Sequence, residues 1–287
     1  MESYRLEGQT FVIDDYDRKP AFSSFLPGLA GVKGIPLWTF YTNRGQGMNS
    51  FGIDNKGNAI MEFNSANTAF ENTQVKGFRT FLKIDGEYYE PFFTYEKEAK
   101  RQMRMNKNSF KIIETNEKYG IEVTVNYYVL PNESIGALVR QVSVKNIGDS
   151  AKEVQVIDGL PKIITYGIAN GEFKEMSNLF KSWADIRNLE NKVPYYTLRA
   201  STKDSAEVSD VEGGYYYLTV RDGKLQDVIY DVDTVFGYDL SLMTPVNFID
   251  GSIEGVLSKE QCFANKVPCG FTPFKEVVEP GKELAFD

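Results

Sequence analysis

The residues best suited to contact a ligand lie in one glycine-rich turn. The turn reads NRGQG, spans residues 43–47 and separates two predicted strands, residues 37–42 and 50–53, that are rich in β-branched and aromatic residues. Its two glycines tolerate positive φ, which a tight connection between strands requires. The side chains of Asn43, Arg44 and Gln46 would donate hydrogen bonds to a polar, hydroxyl-rich or anionic ligand. The alternative is a surface hairpin whose polar tip is only solvated.

Two further residues are candidates for substrate contact. Arg79 alternates with Phe78 and Phe81, so it either meets a ligand or faces outward from an ordinary strand. Trp183 offers an aromatic ring on which a sugar could stack, and burial in the core is the alternative.

The residue types that are missing exclude several kinds of chemistry. The chain contains no histidine, which excludes Ser-His-Asp and Cys-His catalysis, His-ligated zinc and a histidine acid/base pair. Cys262 and Cys269 could close a small disulfide loop. The N-terminus lacks a secretion signal, so we favour two buried thiols in a reducing cytoplasm. Three aspartates within residues 14–17 lack the spacing of a calcium loop. We therefore expect no metal and no cofactor.

The overall charge disfavours two classes of partner. The 287 residues carry a formal charge of -8, whereas nucleic-acid binding depends on clustered Lys and Arg. The longest basic stretch, residues 97–107, also contains acidic side chains and is expected to form a solvated face. No apolar run is long enough to cross a bilayer. We expect neither a nucleic acid nor a membrane as partner.

The elements that must position these residues are mostly strands. The chain continues from the turn as a three-strand meander whose last strand covers residues 59–63. Asp85-Gly86 marks a tight hairpin. Between residues 110 and 157, apolar and polar side chains alternate strand after strand without a crossover helix. This pattern predicts an all-β fold of stacked antiparallel sheets, ending in a loop-rich region of short strands over residues 244–286.

One segment interrupts the β pattern. Apolar residues recur at three- and four-residue spacing near residues 171–190, which predicts one inserted amphipathic helix. Asn170 can cap its start, and Pro194 prevents its continuation. We expect this helix to pack against the flank of the sheets, with a subunit interface or a sugar platform as the alternative.

Several ordered blocks of the sequence resemble a known family. The blocks are GIPLWTFYTNRGQGMNSFGI, GFRTFLKIDGEYYEPFF and YGIEVTVNYYVLPNESIGALVRQVSVKN. They resemble the N-terminal β-domain of inverting glycoside phosphorylases in the cellobiose and chitobiose phosphorylase clan, a group like glycoside hydrolase family 94. The opening FVIDDYDRKPAFSSFLPGLAG and the NRGQG turn are most similar to long β-1,3- or β-1,2-oligoglucan phosphorylases.

The resemblance implies a fold, and it implies that the catalytic residue lies in a different domain. It implies that residues 1–287 form a single galactose mutarotase-like super-sandwich, followed in a longer chain by a helical linker and an (α/α)6 barrel. The barrel holds the catalytic Asp, inorganic phosphate is the co-substrate, and α-glucose 1-phosphate leaves with inversion. No catalytic residue is therefore assigned to this segment.

The resemblance also implies partners. These are a β-glucan oligosaccharide, phosphate and a second copy in a cytoplasmic homodimer, with the NRGQG turn, Arg79 and Trp183 bordering the substrate. The alternative is a stand-alone carbohydrate-binding or structural sandwich, which exposed aromatic stripes would indicate.

Overall fold

The fold is predominantly antiparallel β-sheet. A computed structural model describes residues 3–49, 56–62, 64–93, 98–202 and 206–287. The strands within these residues are β1 (Tyr4–Glu7), β2 (Thr10–Asp14), β3 (Ser23–Leu26), β4 (Leu29–Ala30), β5 (Ile35–Pro36), β6 (Thr39–Thr42), β7 (Met48–Asn49), β8 (Arg79–Ile84), β9 (Glu87–Tyr89), β10 (Lys100–Met105), β11 (Phe110–Asn116), β12 (Ile121–Val129), β13 (Leu138–Asn146), β14 (Lys152–Leu160), β15 (Ala184–Arg187), β16 (Tyr195–Leu198), β17 (Tyr215–Tyr216), β18 (Val220–Arg221), β19 (Lys224–Leu225), β20 (Gly270–Val278) and β21 (Glu283–Phe286). The α-helices are α1 (Ala66–Lys76), α2 (Asn170–Phe180), α3 (Val232–Phe236), α4 (Val246–Asp250) and α5 (Ile253–Leu257).

Two sheets form the body of the molecule. The larger has seven strands in the order β1-β2-β10-β11-β12-β13-β21, and the smaller has four in the order β20-β14-β8-β9. In β11, and in β12 as far as Tyr128, buried residues alternate with half-buried ones, as expected for strands with one face in the core. Smaller two- and three-stranded sheets lie around this body.

The two sheets contribute side chains to one hydrophobic core. Ile112, Val125 and Leu284 of the larger sheet lie in the same buried cluster as Leu82 and Val156 of the smaller one. The rings of Phe274 in β20 and Phe286 in β21 lie 4.4 Å apart between their centroids. Strands β20 and β21 therefore link the two sheets at the end of the described chain.

The smaller sheet is buried on both faces. Its second face, with Phe81, Ile157 and Phe271, packs against α3, α4 and α5 in a separate cluster that includes Phe248 and Val256. Every residue of β8 is buried as a result, and β8 shows no alternation of exposure.

The predicted hairpin and the alternating strands are confirmed. Asp85 and Gly86 connect β8 to β9 with φ of 51° and 89°, the left-handed conformations of a tight two-residue turn. The alternation from residue 110 onward corresponds to β11, β12 and β13, which are paired antiparallel. The expectation of one buried face is wrong for β14, which is buried without a break from Val154 to Leu160 because both faces of its sheet are covered.

The predicted meander is only partly correct. Strand β6 pairs with β7, but its other neighbour is β3, which lies earlier in the chain. Residues 59–62, expected to begin a third strand, contain no strand. Residue 63 and the expected strand at 50–53 lie outside the described residues. The chain instead forms α1, whose sequence ANTAFENTQVK has too few apolar residues for a helical stripe to be visible.

The predicted helix near residues 171–190 is too long. Helix α2 starts at Asn170 itself and ends at Phe180, and a short 3-10 turn leads into β15. Ile186 is buried as a strand residue opposite Tyr196, because pairing with β16 outweighs the local helical spacing. No helix in the described part of the chain is long and apolar enough to cross a membrane.

The C-terminal region is more regular than predicted. The sequence predicts only short strands over residues 244–286, but β20 runs without a break over nine residues and pairs with β14 along its whole length. Both cysteines are free, and only Cys269 is buried, so the expectation of two buried thiols is wrong for Cys262. The Cys262 thiol lies at the surface and contacts the carbonyl of Ala264.

Candidate functional site

The NRGQG turn packs between several elements. It follows β6 and leads into β7, with Gly45 at a φ of 67° and Gly47 at 143°. A Cβ atom on Gly45 would lie 2.7 Å from the Cα of Gln74, so only glycine lets the turn contact the end of α1 this closely.

Asn43 lies inside the protein, where it holds the chain before β3. Its side chain is fully buried, and its Oδ1 accepts a hydrogen bond from the Phe22 backbone N–H at 3.2 Å. Its Nδ2 lies within hydrogen-bonding distance of three carbonyls in residues 16–20, with the Lys19 oxygen at 2.9 Å. This amide is therefore occupied with fixing the position of residues 16–22.

Arg44 is the residue of the turn with donors to spare. It is half-buried, and its Nη1 donates to the carbonyls of Asp17 and Asn43 at 2.7 and 2.8 Å. Within the described residues, its Nε and Nη2 have no partner, so they remain able to donate to a ligand.

Gln46 belongs to a buried polar cluster between the two sheets. Its Nε2 donates to Thr80 Oγ1 at 3.1 Å, and its Oε1 accepts from the Arg140 guanidinium. Thr80 Oγ1 in turn donates to Asp158 Oδ1 at 2.6 Å. Arg140 pairs with the Asp158 carboxylate and donates to the Tyr127 hydroxyl at 3.1 Å. The cluster joins the turn to β8 and β14 on one side and to β12 and β13 on the other.

Burial controls the titration of this cluster. It raises the pKa of the Asp158 carboxyl, and the neighbouring Arg140 guanidinium opposes that rise. Burial also raises the pKa of Tyr127 to about 12. The ion pair is closed by protein groups on every side, which is the arrangement of a structural pair and not of an accessible acid.

A second buried cluster lies beside the turn. Arg101 Nε donates to Glu114 Oε2 at 2.5 Å, and its Nη1 donates to Asp17 Oδ2 at 3.0 Å. Burial raises the pKa of Glu114 to about 8, the Phe92 backbone N–H opposes that rise, and the Asp17 carboxylate adds to it. The side chain of Arg101 is 1% exposed, so the expectation that this basic stretch forms a solvated face is wrong at Arg101. Its acidic partners come from distant segments that the local sequence does not reveal.

Arg79 is not brought together with the turn. It is buried, and its guanidinium forms two bonds with the Glu90 carboxylate, at 2.7 Å from Nε and 2.8 Å from Nη2. It also donates to the carbonyls of Leu242 and Met243, and it lies 4.6 Å from the Phe81 ring centroid. These contacts anchor the loop that precedes α4.

Trp183 also lies apart from the turn. It follows α2 in a 3-10 turn, is half-buried and packs at 6.2 Å from the Phe180 ring centroid. Its neighbours are the apolar residues of a small cluster that includes Ile164 and Leu198.

A groove lies where the turn holds two elements in place. It has a volume of about 380 Å3 and runs between the chain entering β3 and the first turns of α1. The lining residues are Ala21, Phe22, Ser23, Ala66, Asn67, Phe70 and Glu71. Asn43 fixes the wall at Phe22, and Gly45 allows the close contact with α1 that sets the other wall. Two aromatic rings beside hydroxyl, amide and carboxylate groups provide an apolar surface and hydrogen-bond partners together.

Sequence reasoning missed the groove because it missed α1. The residues Asn67, Phe70 and Glu71 lie on a helix without a regular apolar stripe, and contacts of α1 with Gly45 and Met48 bring them beside Phe22. Within the described residues, no group of three or more acidic, Cys or His side chains could hold a metal ion. The sequence matches no protein-family model and no curated protein.

Proposed function

We propose that this chain is the N-terminal, non-catalytic domain of an inverting glycoside phosphorylase that acts on β-1,3- or β-1,2-linked gluco-oligosaccharides. The proposal includes the galactose mutarotase-like form of super-sandwich. Two antiparallel sheets that share one core support this architecture. The ordered sequence blocks around the NRGQG turn support the choice of family.

The observation that carries the proposal is the groove beside the turn. Phe22 and Phe70 line the groove and provide apolar surface for the C–H groups of a glucosyl unit, while Asn67 and Glu71 can bind its hydroxyls. The free donors of Arg44 lie on the same turn and suit a sugar hydroxyl or a phosphate oxygen.

The chemistry in this proposal is shared between modules. Phosphate attacks the anomeric carbon from the side opposite the leaving sugar, while an acid in the catalytic barrel protonates the glycosidic oxygen. One carboxylic acid suffices, because phosphate replaces the base-activated water of an inverting hydrolase. The β-domain only shapes the substrate site. This role agrees with the fact that its buried charged side chains are engaged in ion pairs with one another.

The test is phosphorolysis by the complete polypeptide. With β-1,3- or β-1,2-glucotetraose and inorganic phosphate, we expect release of α-glucose 1-phosphate. The product is detected by 31P and 1H NMR. Phe70→Ala should raise KM for the oligosaccharide about tenfold, which corresponds to ~1.4 kcal/mol of lost binding. Phe263→Ala, which removes an exposed ring that does not line the groove, is the control and should leave KM unchanged. Glucose release without phosphate, or no release at all, would overturn the proposal.

A second candidate function is a stand-alone carbohydrate-binding sandwich. One observation favours it: the exposed rings of Tyr4 and Phe11 lie nearly parallel, at 13° and with centroids 6.3 Å apart, on the edge of the larger sheet. Such a pair offers exposed aromatic surface to a polysaccharide, beside the Lys19 ammonium at 5.2 Å from the Tyr4 ring centroid. In this case the chain should bind insoluble β-glucan without turning it over, and Tyr4→Ala should abolish binding while Leu29→Ala should not.

A further inference from the structure

The core-facing side of the seven-stranded sheet loses its cover toward the β1 edge. One row of cross-strand neighbours runs from Ile112 through Ile13 to Tyr4, and the exposed fraction rises from 0% at Ile112 to 47% at Tyr4. The next row ends in Phe11 and Leu6, which are 41% and 71% exposed. The apolar face of the sheet therefore reaches its edge as exposed surface.

The backbone of β1 has a free side as well. The Asp14 N–H donates to the Ser3 carbonyl at 2.9 Å, and bonded pairs alternate along an antiparallel ladder. The odd-numbered residues of β1 thus direct their backbone groups toward β2, and Tyr4 and Leu6 direct theirs away from it. In the part of the chain that the structure describes, β2 is the one strand that pairs with β1. An edge of this kind can accept a further strand.

The opposite face of β1 carries two charges of opposite sign. Arg5 Nε donates to Glu7 Oε1 at 2.6 Å, and Arg104 Nη2 donates to Glu7 Oε2 at 2.5 Å. The side chains of Arg5 and Glu7 are 33% and 40% exposed. A guanidinium and a carboxylate have more hydrogen-bonding positions than these contacts use, so both groups can take a further partner.

These charges select one register between two copies of the edge. A second, antiparallel β1 would bond through Tyr4 and Leu6, and facing residues then have the same parity. With Arg5 opposite its own copy, like charges repel. With Leu6 opposite its own copy, Arg5 faces Glu7 of the partner subunit, and the contact occurs twice by symmetry. Tyr4 then lies opposite a glycine, Gly8 of the partner subunit, which leaves room for the ring.

We propose that β1 pairs with β1 of a second copy across a two-fold axis at Leu6, which joins the two seven-stranded sheets into one. The apolar rows that end at Tyr4 and Leu6 then continue into the second sheet. The family resemblance implies only that two copies associate, whereas the edge and the register follow from β1 itself. The inference goes beyond the proposed function, since no catalytic module takes part. The contact has one four-residue strand from each copy, so we expect a Kd in the micromolar range.

The experiment is sedimentation velocity of the intact protein over a concentration series. Arg5→Glu and Glu7→Arg each place like charges opposite one another in the dimer, and each should raise its Kd at least tenfold. An equimolar mixture of the two variants should restore the dimer, because every altered charge then faces its opposite. A loss of stability within one chain cannot produce this restoration. Urea denaturation checks that each variant is folded.

A second comparison tests the apolar part of the edge. Leu6→Lys should raise the dimer Kd at least tenfold, whereas Leu29→Lys, at a leucine of β4 that is 64% exposed, should change it less than twofold.

Three results would overturn this inference. They are a mass of one chain at every concentration, equal Kd values for Leu6→Lys and Leu29→Lys, and a mixture of Arg5→Glu and Glu7→Arg that stays monomeric. Failure of the proposed function is distinguishable, because it appears as missing phosphorolysis while the dimer that depends on Leu6 persists.

Discussion

At the scale of single residues, the buried charges of this protein are placed where they connect elements. Arg140 reaches from the larger sheet to Asp158 in the smaller one, and Gln46 completes the contact from the NRGQG turn. An unpaired charge in such a position is expensive, since no water can replace the missing partner. The relative position of turn and sheets therefore depends on this pair.

Removing the cation of this pair should destabilise the fold. Arg140→Met leaves the Asp158 carboxylate buried without its partner, and we expect a loss of ~3–5 kcal/mol in unfolding free energy, measured by urea denaturation. Arg104→Met removes an ion pair whose side chains are 29% and 40% exposed, and it should cost no more than ~1 kcal/mol. Equal losses for the two variants would show that Arg140 does not hold the sheets.

Glu114 should make stability depend on pH. Its pKa rises from an ordinary 4.5 to about 8 on burial, so the folded state keeps the proton that the unfolded state releases. The stabilisation is complete below pH 4.5 and is lost as pH increases toward 8, with a slope of at most ~1.4 kcal/mol per pH unit.

The comparison with a neutral side chain isolates this effect. Burial also raises the pKa values of Glu90 and Asp158, so the informative quantity is the difference between slopes. Glu114→Gln should flatten the dependence of unfolding free energy on pH, while Glu122→Gln on the outer face of β12 should preserve it. A slope that Glu114→Gln leaves intact contradicts the prediction.

At the scale of elements, α1 depends on a single glycine in the turn. Gly45→Ala combines a left-handed backbone with a contact of 2.7 Å to the Gln74 backbone, and we expect a loss of ~3–5 kcal/mol. Gly8→Ala is a matched control, because Gly8 has a similar φ of 61° and no atom within 4 Å of the added methyl group. Its cost should be ~1–2 kcal/mol. The unfolding free energies of the two variants, measured by thermal and urea unfolding, separate the cost of backbone strain from the cost of the steric overlap with α1.

Elements with one buried face could be predicted from the sequence, and others could not. The strands over residues 110–129 alternate because water lies on one side of the larger sheet. Strand β8 is covered on both sides, and α1 has little apolar surface, so neither shows the period of its structure. At Ile186 the local spacing indicates helix, and pairing with β16 decides for strand.

The candidate site, too, could be predicted only in part from the sequence. The sequence draws attention to the NRGQG turn, because glycines next to amide side chains indicate a tight turn with hydrogen-bonding groups. It does not reveal that Asn43 binds residues 16–22 or that Gln46 meets Thr80 and Arg140, since these partners are distant in sequence. The groove depends on those distant contacts and therefore could not be predicted.

At the scale of the whole molecule, we propose a homodimer, as the family resemblance implies. Tyr238 and Leu240 are 82% and 87% exposed on the loop that Arg79 anchors, and apolar side chains of this size are common in subunit contacts. Light scattering after gel filtration should give twice the chain mass of 32.5 kDa. A mass of one chain at every concentration would exclude the dimer.

The link between the sheets at β20 and β21 has a consequence for biosynthesis. These strands are made after all the others described here, yet β20 completes one sheet beside β14 and β21 completes the other beside β13. Until both have left the ribosome, the nascent chain carries two unpaired strand edges and an open apolar interior. Folding of this unit is therefore complete only after β21 has left the ribosome, and a ribosome that stalls earlier would expose a chain in need of chaperones.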